Sequence, residues 1–565
     1  MKSTTEATLP FLPKPKTVSQ TSLDLAPEII LLGEQPDSEG LTALAEGFQV
    51  QDYLTPLRHL PLDSQEAKDL LRLVPAGPVA GGGGAEDCRL LLQPGTGDQG
   101  PRVRAVLHPG STGALNRGFA LIVQAALFLK HKIWTVGNQA GSPGLMIQDA
   151  PRFELRGLHL DVSRHFFSRE VVLELLYHMA LVGLNRFHWH LTDDQGWRVP
   201  VEGFPELTVA GASRGLAYDQ ANPISPAGED DPSRAYTRED IQAVLHRSRD
   251  LGITVVPEID LPGHIQAAAA VVPGLACGHL EGKTPQGPWQ DVGINPWAIC
   301  PTGERSYQFI EKVMDSVSKT FGSTRIHLGG DECLGLNWQN CPDCRGWVES
   351  QGIQPPNREI LDIHQWEQHP ARRALYGEFV RRIIDLAEQK GFDLELWDDV
   401  LEVIPKNHGA KQPAGGQPEA GQPKVPTLFC WHADAVDRAR GRGYPLVSCP
   451  ETLIYFDHPQ SPAPEEPGPK HFDPNVSTLG DILAWQPPKD VVGLQGCIWT
   501  EVMVTRERLE YMLFPRLWGL AQQAWNPGAS DESSRGGEKR PQWTEAWADL
   551  YDALGVRGNW DREKW

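Results

Sequence analysis

The sequence has no long hydrophobic run, no surplus of basic residues and no leader-like beginning. An apolar run of about 20 residues, the length needed to cross a bilayer, is missing from the 565 residues. Lysine and arginine number 52 against 73 aspartates and glutamates, and this net charge of -21 argues against nucleic acid or an anionic membrane as partner. Residues 1–20 contain no apolar core of the kind that a secretory signal has, so we predict a cytoplasmic location.

Cysteine is scarce and irregularly spaced. The nine cysteines are an odd number, which fits a reduced compartment better than a disulfide framework. Cys341-Pro-Asp-Cys344 is a single CxxC pair with no second pair near it in the sequence. Since a structural zinc site needs four ligands, we predict neither a metal nor a cofactor.

What is present indicates a globular protein of more than one domain. Hydrophobic residues make up 40% of the chain, and tryptophans number 18. Residues 1–148 carry no chemical motif, but apolar segments at Ile29–Leu32 and Leu90–Leu92 and a helical stretch at Phe119–Leu129 predict a smaller α+β accessory domain. We assign residues 149–530 to a catalytic barrel and residues 531–565 to a helical tail packed on it.

From Phe153 onward, short strand-like runs alternate with amphipathic helical runs, as in a parallel sheet with crossover helices. Eight strands are predicted, the number that closes a (β/α)8 TIM barrel of the α/β class: Gly157–Val162, Asn185–Leu191, Thr254–Ile259, Arg325–Gly329, Leu394–Trp397, Thr427–Trp431, Pro445–Ser448 and Gly493–Trp499. The predicted helices between them are Arg169–Leu181, Thr237–Asp250, Arg305–Lys319 and Arg372–Lys390. No helix is predicted after the seventh strand, and the proline-rich segments Gly409–Pro426 and Pro459–Lys470 are interpreted as surface insertions.

The fourth strand, Arg325–Gly329, ends in two glycines followed by Asp331 and Glu332. The ordinary interpretation of an Asp-Glu pair is a helix cap. Gly329 and Gly330 favour a rim position instead, because glycine permits unusual backbone angles and the close approach of a ligand. In a barrel of this kind, the loops that follow the strands build the active face.

Other predicted strand ends also carry acids and tryptophans. They lie in Asp161–His165, His190–Arg198, Pro257–His264 and Trp499–Glu501, and at Trp397 and Trp431. Each tryptophan taken alone is explained by core packing. Together with acids and an arginine, their flat apolar faces suggest a carbohydrate pocket.

The acidic pair is unsuited to the usual glycosidase geometry. Two carboxyl groups that straddle a glycosidic bond lie about 5 to 9.5 Å apart, whereas neighbouring Cα atoms are about 3.8 Å apart. We therefore expect one acid to protonate the leaving oxygen and the other to orient a nucleophile that belongs to the substrate. An N-acetyl group on C2 is such a nucleophile, since its carbonyl oxygen attacks the anomeric carbon to give an oxazolinium ion.

These motifs, in this order, resemble glycoside hydrolase family 20, the β-N-acetylhexosaminidases. The resemblance covers about Pro151 to Asn526 and rests on these segments: Arg156–Gly157, Asp161–Phe166, His190–Arg198, Pro257–His264, His327–Glu332 and Trp499–Glu501. It implies substrate-assisted catalysis. It also implies an exo-acting retaining enzyme that releases terminal N-acetylglucosamine or N-acetylgalactosamine from a glycan, with no metal or organic cofactor.

The resemblance implies three catalytic residues. Glu332 is the general acid and base, Asp331 orients the acetamido group, and Tyr455 of the Tyr-x-Asp motif holds its carbonyl. A negative Asp331 is expected to raise the pKa of Glu332. The implied substrate-binding residues are Arg164 and Glu501 for the outer hydroxyls, Asp457 for a further hydroxyl, Trp397, Trp431 and Trp499 for the walls, and Asp193 and His264 for a network around Glu332.

One departure from the family pattern concerns the pocket wall. The family usually has a further tryptophan shortly after Tyr-x-Asp, but Phe456–Phe472 contains none, and Trp485 is the candidate replacement. This gap keeps open a lacto-N-biosidase-like release of a disaccharide. A non-catalytic glycan-binding relative is the other alternative. The oligomeric state has no signal in the sequence.

Overall fold

The structure is a computed structural model. It describes residues 12, 17–21, 29–32, 39–49, 51, 57–60, 88–97, 100–109, 112–130, 144–214, 234–280, 287–290, 293–357, 361–405, 425–469, 475–525 and 543–561. Among the helices within these ranges, none combines the length and the apolar composition that a membrane crossing requires.

The first part of the chain forms a mixed six-stranded sheet. Its strands, in the spatial order β1-β6-β4-β5-β2-β3, are β1 Thr17–Thr21, β2 Ile29–Leu32, β3 Leu57–Leu60, β4 Cys88–Gly97, β5 Gly100–Pro109 and β6 Gly144–Asp149. Two helices accompany it, α1 Glu39–Gly47 and α2 Thr112–Lys130. The apolar segments predicted at Ile29–Leu32, Leu90–Leu92 and Phe119–Leu129 thus lie in β2, β4 and α2.

Helix α2 packs against the part of the chain that follows this sheet. Its residues 117–127 are buried. Gln124 Nε2 donates to the carbonyl oxygen of Leu181 at 2.7 Å, and the guanidinium of Arg117 lies 4.7 Å from the ring of Trp525 while pairing with Asp149 at 2.8 Å. The domain boundaries at residues 148 and 530 stay predictions.

Eight parallel strands close into a barrel. They are β7 Leu155–Asp161, β8 Arg186–His190, β11 Thr254–Leu261, β12 Arg325–Gly329, β13 Asp393–Trp397, β14 Thr427–Cys430, β15 Leu446–Ser448 and β16 Gly493–Gly496. Pairing of β16 with β7 completes the ring, and a small hairpin of β9 Thr192–Asp193 and β10 Gly196–Trp197 follows β8. Each predicted strand overlaps one of these eight, so the predicted (β/α)8 fold is confirmed.

The remaining described helices are α3 Arg169–Leu181, α4 Arg238–Asp250, α5 Gln266–Ala269, α6 Glu304–Phe321, α7 Pro342–Ser350, α8 Ile363–Glu367, α9 Pro370–Lys390, α10 Ala435–Ala439, α11 Glu451–Ile454, α12 Leu479–Ala484, α13 Arg506–Leu513, α14 Arg516–Trp525 and α15 Trp543–Ala553. Helix α4 begins after Thr237, whose side chain and backbone both bond to Asp240 in a capping box. Thr478 and Asp481 form the same motif at α12. Because α11 and α12 both follow β15, the prediction of no helix there is wrong.

One proline-rich segment is not a surface insertion. Within Pro459–Lys470, the buried Glu466 accepts a hydrogen bond from Ser461 Oγ at 3.0 Å, and Gln460 Nε2 donates to the carbonyl oxygen of Tyr511 at 2.6 Å. These contacts attach the segment to α13, which the proline content did not indicate. The other segment, Gly409–Pro426, lies mostly outside the described residues.

The barrel interior is rich in histidine, whereas TIM barrels usually fill it with branched aliphatic side chains. Four buried histidines surround Glu258, with His190 Nδ1 at 2.6 Å, His188 Nε2 at 3.0 Å, His327 Nδ1 at 3.1 Å and His159 Nε2 at 3.7 Å from its oxygens. Burial alone raises the pKa of Glu258, but the histidines, His190 foremost, hold that pKa well below its usual range. A buried charged cluster, formed by Glu258 and these histidines, therefore lies in the barrel beneath the ends of the strands.

Candidate active site

A cavity of ≈ 350 Å³ opens at the rim where the barrel strands end. Most of the predicted site residues line it: Arg164, Asp331, Glu332, Trp397, Trp431, Tyr455, Asp457, Trp499 and Glu501. Its size lies near the lower end of the range for small-molecule sites. The topology explains this gathering, because parallel strands deliver their final residues to one edge.

The backbone after β12 turns sharply to present the two acids. Gly329 and Gly330 have φ angles of 62° and 106°, and Glu332 itself has a φ of 46°, which is rare for a residue with a side chain. A Cβ on Gly329 would lie 1.7 Å from Asp260 Oδ1. The glycines are thus required for the turn, as predicted. The space beside Gly329 is occupied by the side chain of Asp260 rather than by a ligand.

Asp331 and Glu332 differ in exposure. The Asp331 side chain is 11% exposed, whereas the Glu332 side chain is 36% exposed. Burial, with a further contribution from Asp399, raises the pKa of Asp331 to about 7. Burial and Asp399 also raise the pKa of Glu332. The direction expected for Glu332 agrees with this, but the main causes are burial and Asp399 rather than a negative Asp331.

His264 connects the acids to Asp193. Its Nδ1 lies 3.1 Å from Asp193 Oδ1, and its Nε2 lies 3.7 Å from Asp331 Oδ2 and 3.6 Å from Glu332 Oε2. Burial alone lowers the pKa of His264, but Asp193 and Asp260 raise it well above the usual value. A positive imidazolium therefore faces both acids. Asp193 and His264 lie beside Glu332, where they were predicted, and their role in a network around it stays a prediction.

Arg164 also lines the cavity and is held by a set of polar contacts. Its Nη2 pairs with Asp193 at 2.8 Å, its Nε donates to Gln195 Oε1 at 3.1 Å, and Glu501 Oε1 lies 3.8 Å from Nε. Its guanidinium also lies 4.9 Å from the ring of Trp499. Within the described part of the chain, Nη1 of Arg164 makes no hydrogen bond. This nitrogen is buried and faces Asp161 Oδ2 at 3.6 Å, so acids on several sides fix the orientation of the guanidinium.

Hydrogen bonds orient the tryptophan walls. Trp397 Nε1 donates to Glu258 Oε1 at 2.7 Å, and Trp431 Nε1 donates to Asp399 Oδ2 at 2.7 Å. The ring of Trp499 lies 6.1 Å from that of Trp397 and 6.1 Å from that of Tyr455. Buried carboxylates therefore hold the rings of Trp397 and Trp431 in place.

A family model described as the catalytic domain of glycosyl hydrolase family 20 matches residues 153–528. The chain belongs to glycoside hydrolase family 20. The matched residues include the whole closed barrel and all the cavity-lining residues named above.

Relatives and solved structures agree with this assignment. The chain is 31% identical over 405 residues to a β-hexosaminidase of Porphyromonas gingivalis, covering 69% of this chain and 45% of the relative. It is 28% identical over 532 residues to a β-hexosaminidase of Vibrio furnissii, covering 92% and 77%. The exo β-N-acetylglucosaminidase of Vibrio harveyi, solved in complex with N-acetylglucosamine, matches with a TM-score of 0.66 and 25% identity, covering 98% of this chain and 78% of that one.

The relatives are often longer than this chain. It spans about half the length of the β-hexosaminidases of Porphyromonas gingivalis and Vibrio vulnificus, at 45% and 50%. The β-N-acetylhexosaminidase structure from Streptomyces coelicolor has a TM-score of 0.69, covers 98% of each chain and is 20% identical, so it supports the fold alone.

The family 20 pocket is closed differently from the expectation. Trp485, the candidate replacement for the missing tryptophan, is half-buried at the end of α12 and does not line the cavity, so that assignment is wrong. Pro469 and Asn475, which flank the undescribed residues 470–474, line the cavity together with His458. Loop residues of a proline-rich segment thus occupy part of this wall.

Sequence reasoning missed two acids of this family 20 site. Asp399 accepts the backbone N–H of Glu332 at 3.2 Å as well as the indole of Trp431. Glu258 holds the indole of Trp397 from below. Asp399 could have been predicted from the sequence. It comes shortly after Trp397, the last residue of its strand, just as Asp331 and Glu332 come shortly after the end of theirs.

The CxxC pair is not isolated in the fold. Cys277 and Cys300 lie beside Cys341 and Cys344, and the four buried sulfur atoms are within 4.8 Å of one another. The expectation that the pair has no further ligands is therefore wrong. The sequence near the pair offers none, but the fold supplies two cysteines from an earlier connection.

Proposed function

We propose that this chain is an exo-acting, retaining β-N-acetylhexosaminidase that releases a terminal β-linked N-acetylglucosamine or N-acetylgalactosamine from a glycan. The observation that carries the proposal is the position of Asp331 and Glu332, side by side in one cavity in front of His264. Neighbouring acids of this kind suit a reaction in which the substrate supplies the nucleophile. The β-hexosaminidases of Porphyromonas gingivalis and Vibrio furnissii and an N,N'-diacetylchitobiase of Vibrio harveyi, to which the chain is similar, support the same reaction.

Glu332 is the proposed proton donor. Its raised pKa favours the protonated carboxyl group, and that proton passes to the glycosidic oxygen as the bond between that oxygen and C1 breaks. The acetamido carbonyl oxygen attacks C1 from the opposite face and forms the oxazolinium ion. Glu332, now a carboxylate, then removes a proton from the water that opens this ring, and the configuration at C1 is retained.

Asp331 and Tyr455 are proposed to aim the acetamido group. Asp331 accepts the amide N–H in its charged form, and an imidazolium at His264 stabilises that form. Burial raises the pKa of Tyr455 well above its usual value, so its hydroxyl keeps the proton that it donates to the acetamido carbonyl. The acetamido oxygen is then held close to C1, so no separate nucleophile has to be brought to that carbon.

The rest of the cavity is proposed to bind one sugar ring. Arg164, Glu501 and Asp457 bind the outer hydroxyl groups, and Trp431 and Trp499 pack against the ring. Disaccharide release rested on the missing tryptophan alone. Pro469 and Asn475 line the cavity near Tyr455 and Asp457, which supports release of a single sugar. The cytoplasmic location remains a prediction.

Hydrolysis of 4-nitrophenyl N-acetyl-β-glucosaminide tests the proposal. We expect turnover by the full chain and a loss of about 10²–10⁴ in kcat for Glu332→Gln, as for removal of a general acid. The matched control is Glu349→Gln on the exposed side of α7, which should keep full activity. The plain 4-nitrophenyl glucoside, which has no acetamido group, should be hydrolysed far more slowly.

Two results would overturn the mechanism. One is equal rates for the glucoside and the N-acetyl substrate, since no internal nucleophile would then be needed. The other is a first-formed product of inverted anomeric configuration in the proton NMR spectrum. Product size from a β-linked tetrasaccharide separates single-sugar from disaccharide release.

A further inference from the structure

Four cysteines from two barrel connections meet in one buried cluster, which we call the cysteine cluster: Cys277, Cys300, Cys341 and Cys344. Cys277 follows α5 and Cys300 precedes α6, so both belong to the connection after β11. Cys341 and Cys344 belong to the connection after β12, where they open α7. The two pairs are thus brought together by the fold and not by sequence proximity.

The spacing of the sulfur atoms fits a tetrahedral metal ion. A zinc ion with Zn–S bonds of about 2.3 Å places its four sulfurs about 3.8 Å from one another. Cys300 Sγ and Cys344 Sγ lie 3.9 Å apart, and every sulfur of the cluster is within 4.8 Å of the others. Such a set needs only small side-chain adjustments to enclose the ion.

The surroundings of the cluster also suit thiolate ligands. Asn337 Nδ2 lies 3.4 Å from Cys277 Sγ in donor geometry, and Thr302 Oγ1 lies 3.5 Å from Cys344 Sγ. Donors of this kind stabilise and orient metal-bound sulfur. All four cysteines are buried, with no more than 3% of any of them exposed, so the site is closed to solvent.

We propose that the cysteine cluster binds one structural Zn²⁺ ion. Four thiolates in a closed tetrahedral set favour zinc over oxygen-seeking cations such as Mg²⁺ and Ca²⁺. Since all four positions are taken by protein ligands, the ion has no open position for substrate or water, and its role is structural. This inference does not depend on the proposed hydrolase activity.

The ion would fasten together the two connections that carry the candidate acids and their histidine. His264 lies on the connection after β11, and Asp331 and Glu332 lie on the connection after β12. Direct bonds between the connections support the same link: Asn337 Oδ1 accepts the N–H of Ala298 at 3.0 Å, and Trp338 Nε1 donates to the carbonyl oxygen of Ile299 at 3.0 Å. A metal bound by both pairs of cysteines would add a coordination link to this contact.

Metal analysis tests the proposal on the full chain. Protein purified under reducing conditions from a zinc-supplemented culture should contain one zinc per chain by plasma mass spectrometry. Titration of the thiols with a mercurial should release that zinc to a colorimetric chelator. Cys344→Ser should lose the stoichiometric zinc, whereas Cys430→Ser, a buried cysteine of β14 outside the cluster, should keep it.

Cobalt substitution decides the question without any variant, in case Cys344→Ser fails to fold. The wild-type chain grown or reconstituted with Co²⁺ should show the intense thiolate-to-cobalt band and the visible bands of tetrahedral cobalt. A chain that holds no zinc and takes up no cobalt would overturn the proposal. So would disulfide-linked peptides from this cluster after alkylation without reduction, and iron bound in place of zinc would overturn the choice of metal.

Discussion

Replacing Gly329 with alanine is expected to destabilise the barrel by about 2 to 5 kcal/mol. A left-handed backbone costs a residue with a Cβ about 1–2 kcal/mol, and Gly329 has a φ of 62°. Overpacking adds about 1–3 kcal/mol, because the new Cβ would lie 1.7 Å from Asp260 Oδ1 and 3.1 Å from Asp260 Cα. Rotation of the carboxylate relieves the first contact but not the second, so the backbone of β11 or β12 must shift.

Gly391→Ala is the matched control. Gly391 also has a left-handed φ, 76°, at the end of α9, but a Cβ there would meet nothing within 4 Å. Only the backbone cost of about 1–2 kcal/mol then applies. Urea unfolding followed by tryptophan fluorescence gives both free energies of unfolding, and the difference between the variants isolates the contact with Asp260.

Activity provides a second measurement on the same pair of variants. Because Asp331 follows Gly329 by two residues, the shift should lower kcat in Gly329→Ala and leave it unchanged in Gly391→Ala. Equal losses of stability in the two variants would refute the reasoning, since the close approach of Asp260 would then cost nothing.

Three further predictions concern charges near the cavity. Asp399→Asn removes a negative charge that raises the pKa of Glu332, so the alkaline limb of the kcat/KM profile, where Glu332 loses its proton, should move to lower pH; an unmoved limb would contradict this. Burial raises the pKa of Asp457 to about 8 from about 4 when unfolded. The native state therefore binds the extra proton between these values, and the free energy of unfolding should fall as pH rises from about 4 to about 8, less steeply in Asp457→Asn. An unchanged slope in urea titrations at several pH values would count against it. Trp397→Phe deletes a hydrogen bond to the charged Glu258 and should cost at least about 1.5–3 kcal/mol in urea unfolding; unchanged stability would show that the bond contributes nothing.

The barrel was predictable because its signals are local. Barrel strands such as Arg325–Gly329 are short runs in which apolar residues alternate with others, and several end where the sequence changes to glycine, acid or tryptophan. Strand ends share one edge in this fold, so the meeting of Glu332, Trp397 and Trp499 at one cavity followed from the order of the elements alone.

The wrong predictions concern residues in the long connections between barrel elements. Trp485 was the candidate for the missing wall residue, but Pro469 and Asn475 line the cavity instead. Cys277 lies 64 residues before Cys341, and no periodicity connects them. Such contacts are decided by the packing of loops, which a pattern of residue types along the chain does not encode.

The sequence indicated that the pKa of Glu332 would be raised, but not the main causes. A second acid next to Glu332 is visible in the sequence, whereas burial, the larger cause, depends on side chains from other strands. Asp399, the negative neighbour that contributes most, comes from the following strand and not from the pair itself.

In the middle of the barrel, several side chains interact with the single carboxylate of Glu258. Several imidazoles and one indole depend on it at once, so replacing any one of them changes the partners left to the others. Substitutions there should be strongly non-additive. An engineer who wanted an aliphatic interior in this barrel would have to exchange the whole set together, and natural variation at these positions should come as linked changes rather than single steps.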